Sequence, residues 1–143
     1  MVRLAVGFRT RAFVTFGEPI ETSEYDPQSR RDTLALAHRT RQAIGRLYKV
    51  LPTAVVASAM RPSVVPRVLE WRVDAVLERL QAAHANLDTT SVEENLERGV
   101  ELLASRGILV IERGRYRVRD RNALRYYART IAHLLQPAAA RGH

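Results

Sequence analysis

The stretch Gly107-Ile-Leu-Val-Ile-Glu-Arg-Gly-Arg-Tyr-Arg-Val118 decides how the rest of the chain is read. Apolar residues run through Ile108 to Ile111. Glu112-Arg113-Gly114 then supplies turn chemistry, and Arg115 to Val118 alternates strictly. Period 2 on both sides of a short Gly-containing turn predicts a β-hairpin. Alternation places Tyr116 and Val118 on one face and Arg115, Arg117 and Arg119 on the other.

Upstream of Gly107 the period is 3.6. Ser91 with Glu94 three residues on forms a capping box, and it starts a helix with Leu96, Val100 and Leu103 inward and Gly107 closing it. Asn86 to Thr90 reads as a loop. Before it, Pro66 opens a helix whose apolar stripe is Val65, Leu69, Val73, Val76 and Leu80, with Trp71 packing at its edge. Arg61-Pro62-Ser63 is a break, and Thr53 to Met60 a short, buried helix. Downstream of the hairpin, a final helix turns Leu124, Tyr127, Ile131 and Leu134 inward, and residues 137–143 are expected to be a disordered tail.

The N-terminal third is harder to place. Asp26-Pro27 reads as a helix start, followed by Leu34, Ala37, Ile44, Leu47 and Leu51 at helical spacing and ended by Pro52. Phe13-Val-Thr-Phe16, within residues 8–16 and stopped by Gly17 and Pro19, reads as a strand with no neighbouring partner. A lone strand cannot satisfy its own backbone. The chain is thus expected to be mainly α with a small β-hairpin: residues 1–25 as strand and turn, 26–136 as a helical module, and 137–143 as the tail.

Composition narrows the functions available. The 143 residues suit one domain, and 46% are hydrophobic, enough for one core. The 23 basic and 15 acidic residues give a formal charge of +8, which favours anionic partners: nucleic acid, phosphate groups or an acidic membrane face. There is no Cys, so disulfides, thiolate chemistry and Cys-based zinc sites are excluded. No apolar run approaches the ~18 residues that span a bilayer. A cytoplasmic protein, soluble or peripheral at the inner membrane face, is expected.

No catalytic constellation stands out. His38, His84, His133 and His143 show no metal-ligand spacing, so neither a metal site nor a cofactor is expected. No Gly-rich phosphate loop and no Gly-x-Ser-x-Gly elbow is present. Glu93, Glu94, Glu97 and Glu101 begin a helix, where the macrodipole favours acids. The basic residues are more pointed. Arg121, Arg125 and Arg129 recur at i, i+4 and i+8, and together with Arg115, Arg117 and Arg119 they form a candidate contact surface for an anionic membrane or partner.

The order helix, short helix, helix, hairpin, helix resembles a winged helix, here preceded by the orphan strand. That resemblance implies DNA binding through a recognition helix and an Arg-rich wing. The helix in the recognition position, however, carries four acids in residues 93–101, which makes nucleic acid an unfavoured partner. The same shape serves equally as a protein-interaction module.

Three further segments resemble one family. Phe13-Val-Thr-Phe-Gly-Glu-Pro-Ile20 resembles the strand and turn after the catalytic core of phospholipid and glycerol acyltransferases. Leu51-Pro-Thr-Ala-Val-Val-Ala57 resembles a Pro-led helix of the bacterial glycerol-3-phosphate acyltransferases. Leu124-Arg-Tyr-Tyr-Ala-Arg-Thr-Ile-Ala-His-Leu134 resembles their Leu-x-Tyr-Tyr-x-x-x-Ile-x-His segment near the C-terminus. The resemblance implies a membrane-associated enzyme of phospholipid biosynthesis that transfers an acyl group from a thioester to glycerol 3-phosphate, with a His-x4-Asp motif as general base. It places that motif upstream of Phe13, which only twelve residues precede. His84-Ala-Asn-Leu-Asp88 is His-x3-Asp and lies on the wrong side of the strand. The expectation is a C-terminal portion, inactive alone, with no catalytic residue of its own and with the rest of the acyltransferase core, or a partner chain, as its partner.

Overall fold

In a computed structural model, residues 13–136 are described. Their elements run α1 (Arg30–Leu47), β1 (Lys49–Val50), α2 (Pro52–Ala59), β2 (Ser63–Val64), α3 (Pro66–Ala82), β3 (Asn86–Leu87), α4 (Val92–Ser105), β4 (Leu109–Glu112), β5 (Arg115–Val118), α5 (Arg121–Thr130) and α6 (Ala132–Leu135). The chain is mainly helical with a small antiparallel sheet, as the patterning predicts.

The hairpin forms in the expected place and register. Leu109 pairs with Val118 and Glu112 with Arg115. Arg113 and Gly114 take φ of 50° and 71°, the positive values that a two-residue hairpin turn needs and that glycine accepts most readily. A third strand that the sequence did not announce, β2, pairs antiparallel with β5 and gives the order β2-β5-β4. The elements α2, β2, α3, α4, β4 and β5 thus follow one another as helix, strand, helix, helix and hairpin.

The core surrounds α2. Proline opens this helix rather than closing the one before it, because a missing N–H costs nothing at the first helical position. Thr53, Ala54, Val55, Val56, Ala57 and Ala59 are all buried, and α3, α4 and α5 pack against them. From α3 come Leu69, Val73, Val76, Leu77 and Leu80. Val65 is the residue before the helix rather than part of the stripe, and Trp71 stands 70% exposed rather than packed at an edge. From α4 come Asn95, Gly99, Val100 and Leu103, whereas Leu96 is only half-buried. The last helical stretch breaks at Ile131, which is itself fully buried.

Asn86 and Leu87, expected in a loop, instead pair in parallel with Lys49 and Val50. Side chains reinforce this two-residue clasp. Lys49 Nζ donates to the Leu87 carbonyl at 3.1 Å, and Asn86 Nδ2 to the Leu47 carbonyl at 3.2 Å.

The N-terminal third departs most from expectation. Residues 13–20 belong to no helix and no ladder, so the expected strand is not formed there; its earlier part, and the expected tail at 137–143, lie outside the described residues. Asp26 caps a turn through Gln28 N at 2.8 Å, and the helix starts three residues later on Ser29, whose hydroxyl accepts from Asp32 N. Helix α1 ends at Leu47, before Pro52 is reached, and buries no residue at all. Leu34 and Ile44, the anchors of its expected inward stripe, are 61% and 65% exposed. The half-buried positions are instead Asp32, Leu36, Thr40, Ala43, Gly45 and Leu47. Of these, Thr40, Ala43 and Leu47 line a groove with Gly17, Glu18, Pro19 and Ile20.

A helix held by so little should open locally. Amides of residues 34–44 are expected to exchange with deuterium within seconds to minutes, while those of Val55, Val56, Val73 and Leu77 exchange only through global unfolding. Hydrogen-exchange mass spectrometry checks this; equal protection of α1 and α2 would refute it.

Candidate functional site

Of the candidate residues singled out in the sequence, His143 lies outside the described residues. Asp88, the acid of the His84-x3-Asp88 pair, is engaged by an arginine. Its side chain is 7% exposed and takes Arg98 Nη2 at 2.5 Å, while Arg98 Nη1 reaches Glu94 Oε1 at 2.7 Å. Hydrogen bonding to Glu94 first, and then to Asp88, holds the Arg98 guanidinium more firmly protonated than usual, against the desolvation that opposes it. Glu94 Oε2 also accepts from Thr89 Oγ1 at 2.7 Å. The capping box is therefore modified: Ser91 Oγ accepts from Glu94 N at 3.1 Å as expected, but the glutamate side chain turns to Thr89 and Arg98. Asn95 completes the cluster, donating to the carbonyls of Thr89 and Ser91 at 3.1 and 2.8 Å. These polar groups fasten the β3–α4 connection.

The final helical segment divides into residues that hold the fold and residues that do not. Tyr127 accepts a hydrogen bond from Arg106, whose guanidinium lies 5.6 Å from its ring centroid, so α5 is tied to the end of α4. Ile131 fills the core. His133 Nε2 lies 3.2 Å from the Gly45 carbonyl, and its ring meets Tyr48 edge-on at 6.1 Å, joining α6 to the end of α1. Arg79 donates to the Leu135 carbonyl, so α3 is held to the same end.

The exposed residues of α5 are Arg121, Asn122, Arg125, Tyr126 and Arg129. Asn122, Arg125, Tyr126, Arg129 and Thr130 line one shallow groove. No acid belongs to this face; Asp120, just before it, is occupied in capping Asn122 N and Ala123 N.

No protein-family model, curated protein or solved structure matches this chain.

The site is therefore judged on its own geometry. The six arginines of the expected basic surface do not act as a set. Arg117 pairs with Glu112 at 3.0 Å, and Arg115 Nε donates to Ser63 Oγ at 3.0 Å, so both are engaged on the outer face of the sheet. Arg125 and Arg129 come together around Tyr126, with Arg121 one turn before them on the same face. Among the described residues no group of three metal-ligating side chains exists, and no helix is long and apolar enough to cross a membrane. The signal for the exposed Tyr126 was in the sequence: it lies one residue off the inward positions Leu124, Tyr127 and Ile131.

Proposed function

We propose that this chain is the C-terminal portion of a glycerol-3-phosphate acyltransferase, a bracing module that has no catalytic activity alone. The observation that carries this reading is the uncovered face of α1. Leu34, Ala37 and Ile44 recur at the spacing of a buried stripe, yet all three are exposed. Val14 and Phe16, earlier in the chain, are 78% and 90% exposed, in a segment that belongs to no ladder. Large apolar side chains patterned for burial but left exposed fit a surface made to meet another body, such as an enzyme core.

The likeness of the three segments supports the same reading. The second is α2 and the third covers α5 and α6, and α2 packs directly against α5. Two segments picked out by likeness alone are thus one packed unit. No His-x4-Asp occurs among the 143 residues.

Two assays test the proposal together. The chain alone should give no acyl transfer from an acyl thioester to glycerol 3-phosphate. Joined in frame to the coding sequence found upstream of it, it should give transfer that falls at least tenfold when Leu34 and Ile44 are both changed to serine, as burial of two large apolar side chains would require. An upstream sequence without a His-x4-Asp segment would end the reading. A second reading, a winged-helix nucleic-acid or protein binder, has the element order in its favour. Against its nucleic-acid form, α4 in the recognition position exposes Glu93, Glu97 and Glu101.

A further inference from the structure

Four of the five residues that mark the segment Leu124 to His133 have work inside the fold. Leu124 packs against the core, Tyr127 takes Arg106, Ile131 is fully buried, and His133 reaches Gly45. Tyr126 has none beyond an edge-on contact with Tyr127 at 5.7 Å, and it stands 69% exposed. An aromatic ring left in water costs free energy that packing elsewhere does not recover. Its neighbours on the helix surface are Arg125 and Arg129, with Arg121 one turn earlier.

We infer that this face of α5 is a docking surface for an anionic phospholipid bilayer. Three arginines within one ten-residue helix, about 15 Å long, present their charge in one plane. That geometry suits a flat array of headgroup phosphates. An exposed tyrosine among them has an apolar body for the upper acyl region and a hydroxyl for the headgroup level. The opposite side of α5 is fixed on α2 and tied to α4 through Arg106, so the helix that carries this face is anchored to the core.

Duplex nucleic acid would place the same charges against phosphate, but the rest of the molecule opposes it. The winged-helix element that would enter a groove is acidic, and the wing's Arg117 is already neutralised by Glu112. A bilayer asks nothing of α4 or the wing. The inference stands on α5 alone and holds whether or not the acyltransferase reading does.

Co-sedimentation of the intact chain with vesicles tests it, at about 0.1 M salt where surface charge still acts over several ångströms. Vesicles of phosphatidylcholine should leave the protein in solution, and vesicles carrying about a third phosphatidylglycerol should bind it. A basic residue near an anionic surface is worth about fivefold in binding, so Arg125→Gln/Arg129→Gln should weaken partitioning about 25-fold. Arg61→Gln/Arg67→Gln, with the same change in net charge at exposed positions away from α5, should weaken it less than threefold. Equal binding to both vesicles, or equal losses in the two variants, overturns the inference. So does tighter binding to a DNA duplex than to anionic vesicles at the same salt, with loss in Arg125→Gln/Arg129→Gln. Failure here leaves the acyl-transfer assay untouched, and the converse is also true.

Discussion

Gly99→Val is expected to lower stability by about 3 kcal/mol, enough to move the thermal midpoint by roughly 10 °C. A Cβ at this position would lie 2.6 Å from Val56 Cγ2 and 2.7 Å from the Pro52 carbonyl oxygen. The second contact is with backbone at the start of α2, which cannot rotate away. Helices α2 and α4 therefore cross at a point where only glycine fits. Any larger side chain must push the central helix off its neighbours. Helix propensity acts the other way, since glycine inside a helix costs about 1 kcal/mol relative to alanine. Gly99→Ala should thus lose less than Gly99→Val, and Val56→Ala should restore part of it as a non-additive coupling. Urea denaturation of the four variants measures these terms. A midpoint for Gly99→Val within 2 °C of the parent, on the order of the smallest shift that counts as a stability change, would contradict the close crossing.

The second large effect belongs to Asn95. The side chain is 1% exposed, and its two amide hydrogens go to two carbonyls. Asn95→Asp keeps the shape and removes both donors, setting an oxygen against oxygens in a buried site. The expected loss is about 3 kcal/mol at neutral pH, from the desolvated charge and the carbonyls left without donors. The pH dependence has a definite sign. Burial among acceptors raises the folded-state pKa of the introduced carboxyl above its unfolded value. The folded form then binds the proton more tightly, so the variant is least impaired at pH 4 and loses ground as pH rises through the raised value. Urea midpoints for parent and variant at pH 4 and pH 7 check this. A penalty that does not grow with pH would show that the carboxyl is solvated, and that Asn95 is not closed in as described.

How much of this was legible beforehand varied with where each element finds its cover. The Pro66 helix, the Ser91 helix and the 107–118 hairpin read correctly because their apolar faces meet within this chain. Leu34, Ala37 and Ile44 read incorrectly for the same physical reason. Periodicity reports that a face is suited to burial, not that the chain supplies what buries it. The two-residue strands Lys49–Val50, Ser63–Val64 and Asn86–Leu87 carry no period long enough to register. Gly99 and Asn95 gave no signal, because their importance arises from α2 crossing behind them, a tertiary fact. Of the basic surface, the spacing of Arg121, Arg125 and Arg129 was visible at once. That Glu112 and Ser63 would take Arg117 and Arg115 depended on a cross-strand diagonal and on a strand from elsewhere in the sequence.

The short clasp between residues 49–50 and 86–87 governs how the module responds to force. It is parallel, so a pull on the chain at α1 loads the backbone hydrogen bonds along the strand direction, in shear, together with the Lys49 and Asn86 side-chain bonds. The Asp88 amide bonds the Val50 carbonyl at 3.0 Å, and Asp88 grips Arg98, so the strain passes into α4. A displacement of α1 is therefore felt in the middle of this domain through β1, β3 and α4.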